Sequence, residues 1–217
     1  MVEIQRLASA ALGHVLAGRS LDAELAAAWR RHPQLDGHDR AAIQDLAYGT
    51  LRFRARLDAL LDALLDKPLK DARLRMLLLV ALYQLEYTRA APHAVVDHAV
   101  RACHGLGFTS AKSLANAVLR NFLRSRPALC ARVDRAETAR YCHPQWWIDK
   151  LHAQYPAHFA AILAAGNARP PLALRVNCRR ARVPEYLERL ARDGIKAEAG
   201  GAATVVLEKP VPAERIP

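Results

Sequence analysis

Residues Lys112 to Phe122, reading KSLANAVLRNF, leave this chain little choice of secondary structure. On a helix, Leu114, Val118, Leu119, Phe122 and Leu123 gather on one apolar face. Lys112, Asn116, Arg120 and Arg124 recur every fourth residue and form a polar stripe beside it. One face enters a core; the other presents cations and an amide. The stripe belongs to a longer pattern. From His98 to Val133 there is no Asp or Glu, yet Arg101, Lys112, Arg120, Arg124, Arg126 and Arg132 all occur. A surface selected only for solubility mixes both signs, so a one-signed stretch of this length points to a polyanionic partner.

The remaining composition supports a helical scaffold for that stripe. Hydrophobic residues are 52% of the 217, enough for a core, and aromatics are only 6%. Alanine and leucine dominate, which favours helix over sheet. The formal net charge is +11, for which nucleic acid is the first explanation and an anionic membrane the second. No apolar run reaches transmembrane length; Leu74 to Leu85 is the most apolar stretch and reads as a buried core helix. Cys103, Cys130, Cys142 and Cys178 lack paired spacing, as in a reduced cytoplasmic protein.

Taken in order, Ile4, Leu7, Ala8, Ala11, Leu12 and Val15 have helical spacing, and Gly18 ends that helix. Ser20 is placed to cap a second helix, with Leu21, Leu25 and Trp29 on its apolar face. After Pro33 and Gly37, Asp39 opens a long helical pattern through Leu65, with Gly49 inside it, and Pro68 ends it. Asp71 caps the Leu74–Leu85 helix, and Pro92 sits in the first turn of the next, which Gly105 and Gly107 close. Thr109 or Ser110 caps the basic helix, and Pro127 stops it. The result is a bundle of roughly six or seven helices.

Beyond Pro127 the pattern changes. His143-Pro144 starts a short helix containing Trp146, Ile148 and Leu151; Phe159, Ile162 and Leu163 mark another, ended by Gly166. Pro170-Pro171 forbids helix, and Leu172, Leu174 and Val176 alternate as in a strand. Pro184 starts a helix that Gly194 closes, and Ala203 to Leu207 reads as a second strand. The chain then runs through KPVPAERIP, where no further element is expected and an unpaired edge should leave the last residues loose. The expected fold class is therefore mainly α: an all-helical bundle over residues 1–127, a helical connector over 128–168, and the start of a small α+β module over 169–217.

Asp39-Arg40, the run Tyr48-Gly49-Thr50-Leu51-Arg52, the Pro92–Val100 helix and Ala115-Asn116-Ala117-Val118-Leu119-Arg120 together resemble the NusB-type helical RNA-binding domain. That domain occurs alone as an antitermination factor, and at the front of the bacterial small-subunit rRNA cytosine-5 methyltransferases of the RsmB (Sun/Fmu) family. His143-Pro144 with Trp146-Trp147, followed by Pro171-Leu172-Ala173-Leu174-Arg175-Val176-Asn177, is similar to the segment that joins the helical domain of those enzymes to their catalytic domain. The resemblance implies a small-subunit rRNA partner and, for the parent enzyme, S-adenosylmethionine as cofactor. It also implies packing of this region on a methyltransferase domain. The family's catalytic cysteines lie in Pro-Cys and Thr-Cys dipeptides; here the four cysteines follow Ala102, Leu129, Tyr141 and Asn177. No GxGxxG is present, and Gly105-Leu106-Gly107 follows a helix rather than a strand. The chain is therefore expected to be an N-terminal portion with no catalytic or cofactor-binding residues of its own, and not to methylate anything by itself.

The candidate RNA-binding residues fall in three groups. Lys112, Arg120 and Arg124 are placed to contact phosphates, and Asn116 and Asn121 either read a base edge or serve the helix surface. Arg52, Arg54 and Arg56 are interleaved with Phe53, which is either core or a stacking platform. Arg175, Arg179 and Arg180 belong with Arg169, Arg182, Arg189 and Arg192 to a basic module that suits RNA or packing on the missing domain. Trp146-Trp147 either stacks on a base or wedges domains together. Asp58, Asp62 and Asp66, one turn apart, look like a metal stripe but lack further ligands and read as a solvated face; no metal site is expected. The competing functions are an rRNA-recruiting region of a methyltransferase, an antitermination adaptor, and a scaffold for an acidic protein partner.

Overall fold

An apolar helix with no polar face has to be surrounded, and the rest of the helical region is arranged to do this. The structure, a computed structural model, describes residues 1–105 and 107–217, with Thr109 described by its backbone only. From Met1 to Asn167 one compact unit contains α1 (Val2–Leu16), α2 (Leu21–Arg31), α3 (Gly37–Arg52), α4 (Arg54–Leu64), α5 (Ala72–Tyr87), α6 (Pro92–Gly105), α7 (Lys112–Val133), α8 (Glu137–Tyr141), α9 (Gln145–Gln154) and α10 (Phe159–Asn167). Every residue of α5 from Met76 to Leu85 is buried, and α1, α3, α4, α6 and α7 pack around it. The one amide in that run, Gln84, is matched: Gln5 on α1 donates through Nε2 to Gln84 Oε1 at 2.6 Å and to the Val95 carbonyl at 3.3 Å.

Helix starts follow local chemistry. Asp71 caps α5 by accepting from the Arg73 amide at 2.8 Å, as the sequence leads one to expect. Asp36, not Asp39, caps α3, with Oδ1 accepting from the Asp39 amide at 2.8 Å. Ser20 sits at the N-cap of α2 without a side-chain cap bond. At α7, the expected Thr109 cap lies outside the described residues, and Ala111 rather than Ser110 holds the N-cap position.

Two corrections to the sequence reading have physical causes. The long pattern from Asp39 to Leu65 is two helices, α3 and α4, broken at Phe53, which leaves helical geometry (φ −100°, ψ 16°). Its ring stacks on Tyr87 with centroids 4.1 Å apart and 13° between planes, so the turn is fixed by aromatic packing. Gly49 does not break α3; a Cβ there would overlap the Tyr83 ring, so this glycine is what lets α3 and α5 approach. Finally, α7 does not stop at Pro127 but runs through it to Val133. Proline forfeits one helical hydrogen bond, at about 3 kcal/mol, and burial of Leu129 and Val133 beyond it offsets that loss.

Helices α8 to α10 carry a small core of their own, in which Ile148, Leu151 and Leu163 are buried against Tyr141, Trp147 and Phe159. Of the tryptophan pair, Trp147 packs here while Trp146 is 65% exposed. Leu114, expected on the apolar face of α7, is 39% exposed.

Residues Ala168–Pro217 form the second compact unit. It contains β1 (Leu172–Arg175), α11 (Val183–Arg192), β2 (Ala197–Gly201) and β3 (Thr204–Leu207), in an antiparallel sheet of order β1-β3-β2. Leu172 lies opposite Leu207 and Leu174 opposite Val205, so one face of the sheet is apolar and packs on Leu190 of α11. Strand β2, reading AEAGG, is absent from the sequence expectation because it lacks branched and aromatic residues. Gly200 fits its bulge because a Cβ there would come within 2.8 Å of Val206 Cγ2. The tail, expected to lack any element, forms a 3-10 turn at Ala213–Arg215 and packs Val211 on this core.

Candidate nucleic-acid interface

The acid-free run is less uniform in space than in sequence. Three of its six cations are engaged by groups that the run itself does not contain. Arg126 lies 2.7 Å from Glu86 of α5, Arg101 is 3.6 Å from Asp97, and Arg132 donates to the Ala63 carbonyl at 3.0 Å. Lys112, Arg120 and Arg124 have no carboxylate partner among the described residues. Arg120 and Arg124 are exposed on α7, and Lys112 is half-buried at its first position. Their neighbours are amides: Arg120 Nε donates to Asn116 Oδ1 at 2.9 Å, and Arg124 Nη2 to Asn121 Oδ1 at 3.0 Å. The cations of α7 without a carboxylate partner thus include Lys112, Arg120 and Arg124, from its first residue to its middle, and Arg132 near its end, which is held by a neutral carbonyl.

The second group divides. Arg52, the last residue of α3, is half-buried with no described hydrogen bond or ion pair, and Arg54 is exposed, 3.1 Å from Asp58. Together with Thr138, Cys142 and His143 they line an open groove beside the α3–α4 junction. Arg56 does not belong to that surface, which corrects the sequence expectation. Its side chain is only 12% exposed, and it donates to both oxygens of Asp134 (2.7 and 3.1 Å), to Glu86 (2.8 Å) and to Tyr87 Oη (3.0 Å). These hydrogen bonds, that to Asp134 foremost, raise the Arg56 pKa beyond its already high ordinary value. Burial in turn pushes the Tyr87 phenol up to about 12. Nothing local in the sequence marks Arg56 as internal, because its partners are 30 and 78 residues away.

The third group lies entirely in the second unit. Arg175, Arg179 and Arg180 are exposed, and Arg175 and Arg179 line a shallow groove with Asn177 and Cys178. Asn177 Oδ1 accepts from the Arg179 amide at 3.1 Å and fixes the turn after β1. Among the described residues of this unit the one ion pair is Lys196–Glu208 at 3.9 Å, so none of the seven arginines from Arg169 to Arg192 is in an ion pair there.

Other candidates resolve into structural roles. Asp62 and Asp66 lie on a solvated face, as expected, while Asp58 is mostly covered; Asp58 and Asp62 also hold Arg75 of α5, at 2.9 Å and 2.7 Å. No group of three metal-ligating side chains occurs among the described residues. Burial raises the thiol pKa values of Cys103, Cys130 and Cys142, the reverse of what a nucleophilic cysteine needs. Gly105 closes a helix, Leu106 lies outside the described residues, and Gly200-Gly201 end a hairpin strand. Among the described residues no glycine-rich turn joins a strand to a helix, so they do not fit S-adenosylmethionine. No described helix is long and apolar enough to cross a membrane.

A model of the NusB family matches residues 3–124, more than half of the chain. The chain belongs to the NusB family. Behind this NusB domain, residues 143–214 match the RsmF/B-like methyltransferase ferredoxin-like domain. The NusB-family chain is 45% identical over 198 residues to a Pseudomonas putida protein named ribosomal RNA small subunit methyltransferase B, covering 89% of this chain and 45% of that one. The protein of the same name in Pseudomonas syringae pv. tomato is 43% identical over 198 residues, covering 89% and 44%. The namesake in Pectobacterium carotovorum is 36% identical over 197 residues, covering 89% and 45%. The chain thus spans about 45% of the length of the curated relatives it matches. Among solved structures, the crystal structure of PH0851 shares the fold, with a TM-score of 0.60 at 13% identity over 99% of this chain and 50% of that one.

Proposed function

We propose that this chain is the RNA-binding N-terminal region of an S-adenosylmethionine-dependent small-subunit rRNA cytosine-5 methyltransferase that works in the cytoplasm. The observation that carries the reading is the group Lys112, Arg120 and Arg124, three cations between the first residue and the middle of α7 with no carboxylate partner among the described residues. Such a cluster holds phosphates and contributes affinity rather than sequence choice. Arg52 adds a further cation in the helical unit, and the exposed Arg175, Arg179 and Arg180 give the second unit a basic surface of its own. The cofactor, when bound in the parent enzyme, supplies the methyl group; the residues here grip rRNA and pack on the methyltransferase domain that binds the cofactor. The match of residues 143–214 to a domain of RsmF/B-like methyltransferases favours this over an antitermination adaptor.

A salt titration tests it. Binding to a small-subunit rRNA fragment should weaken steeply with salt, with a log–log slope of roughly −0.7 to −0.9 per neutralised phosphate. A flat slope, or no binding at low salt, would rule the reading out.

A further inference from the structure

We infer that Arg120 and Arg124 form a pre-set pair of cations for neighbouring phosphates of one RNA strand, and that Asn116 and Asn121 are the positioning residues that set them. The inference rests on the RNA-binding reading above. Each arginine is tethered to an amide one turn earlier on its own helix, Arg120 to Asn116 at 2.9 Å and Arg124 to Asn121 at 3.0 Å. The kind of tether matters. Two other exposed arginines are held by carboxylates instead: Asp58 holds Arg54 and Glu86 holds Arg126, and each offsets the charge it fixes. An amide oxygen accepts the same hydrogen bond and leaves the full positive charge.

The donors left over also suit the role. Guanidinium has five N–H donors. Arg120 uses Nε, leaving both Nη groups; Arg124 uses Nη2, leaving Nε and Nη1. The two arginines are four residues apart on α7, so they stand side by side, about 5–6 Å between Cβ atoms. A long, free side chain loses rotamer freedom when it binds, and a tether that restricts it beforehand lowers that loss. Asn116 Oδ1, being occupied by Arg120, contributes position rather than base reading.

Fluorescence anisotropy of the full chain with a labelled small-subunit rRNA fragment, across a salt series, separates charge from position. Arg120→Ala with Arg124→Ala should make the log–log slope shallower by roughly 1.4–1.8, two phosphates' worth. Asn116→Ala and Asn121→Ala should each weaken binding roughly two- to tenfold with the slope unchanged, because both cations remain. Asn116→Asp and Asn121→Asp keep a tether but neutralise it, and should each make the slope shallower by roughly 0.7–0.9. If wild type binds RNA and the alanine variants bind equally well, or lose slope as the arginine variants do, the amides do not position the cations and the proposal fails while RNA binding stands. If wild type does not bind at low salt, both fall.

Discussion

Arg56 on α4 and Asp134, just past the end of α7, are 78 residues apart in the chain and meet in a two-point ion pair, Nε to Oδ1 at 2.7 Å and Nη2 to Oδ2 at 3.1 Å. Glu86 and Tyr87 of α5 complete the shell around the guanidinium. One side chain therefore ties three helical segments together. Arg56→Ala would leave Glu86, itself nearly buried, with a reduced complement of partners. The expected loss is about 2–4 kcal/mol in urea unfolding, below the full value for a buried pair because Asp134 is partly exposed. Arg56→Lys should recover less than half, since an ammonium cannot make the two-point contact. The salt slope of RNA binding should not change in either variant.

Gly49 and Tyr83 form a second close relationship. In an exposed helix, glycine to alanine is stabilising. Here Gly49→Ala should instead destabilise by about 1–3 kcal/mol, because the new methyl overlaps the Tyr83 ring. Combining it with Tyr83→Ala should cost less than the sum of the two single losses, which thermal unfolding of the four proteins would reveal.

The buried Gln5–Gln84 pair is satisfied through Gln5 Nε2, while Gln5 Oε1 is buried without a partner among the described residues. Gln5→Ala removes the donor that reaches Gln84 and the Val95 carbonyl and opens a gap in the core; about 2–3 kcal/mol should be lost. Replacing both glutamines by leucine should be closer to wild type than Gln5→Ala alone, because no buried polar group is then abandoned. Chemical denaturation of both variants is the check.

Glu24 gives the pH dependence its sign. Its carboxylate is largely covered, with Oε2 2.6 Å from His14 Nδ1 and Oε1 2.8 Å from Arg19 Nη1. The hydrogen bond to His14 holds its pKa below the ordinary value of 4.5. A carboxylate whose pKa is depressed by folding contributes stability that is complete above that ordinary value and disappears as pH falls through the lower folded one. Melting temperature should therefore decline below about pH 4.5, and Glu24→Gln should flatten part of that decline.

Periodicity and local chemistry were enough to place α5, the Asp71 cap, the Pro92 start of α6 and the inward Leu172–Leu174 pair of β1. They were not enough where tertiary packing overrides a local rule. Pro127 reads as a stop, yet buried Leu129 and Val133 lie beyond it in the same helix. Arg56 reads like Arg52 and Arg54, two residues apart in a basic run, and only distant acids distinguish it. Ala-Glu-Ala-Gly-Gly has no strand signature, and it is a strand because β3 offers it an edge. The amides of Asn116 and Asn121 were visible at the right spacing; what they do was not, since spacing alone does not separate a tether from a base contact.

The passage of α7 through its proline has a practical consequence for dissecting the molecule. A truncation at residue 127 looks natural on paper, yet it would amputate Leu129, Val133 and Asp134 and unclasp Arg56 from its strongest partner. An excised helical piece that ends at Asn167 keeps that clasp whole and ends where one self-contained body gives way to the next.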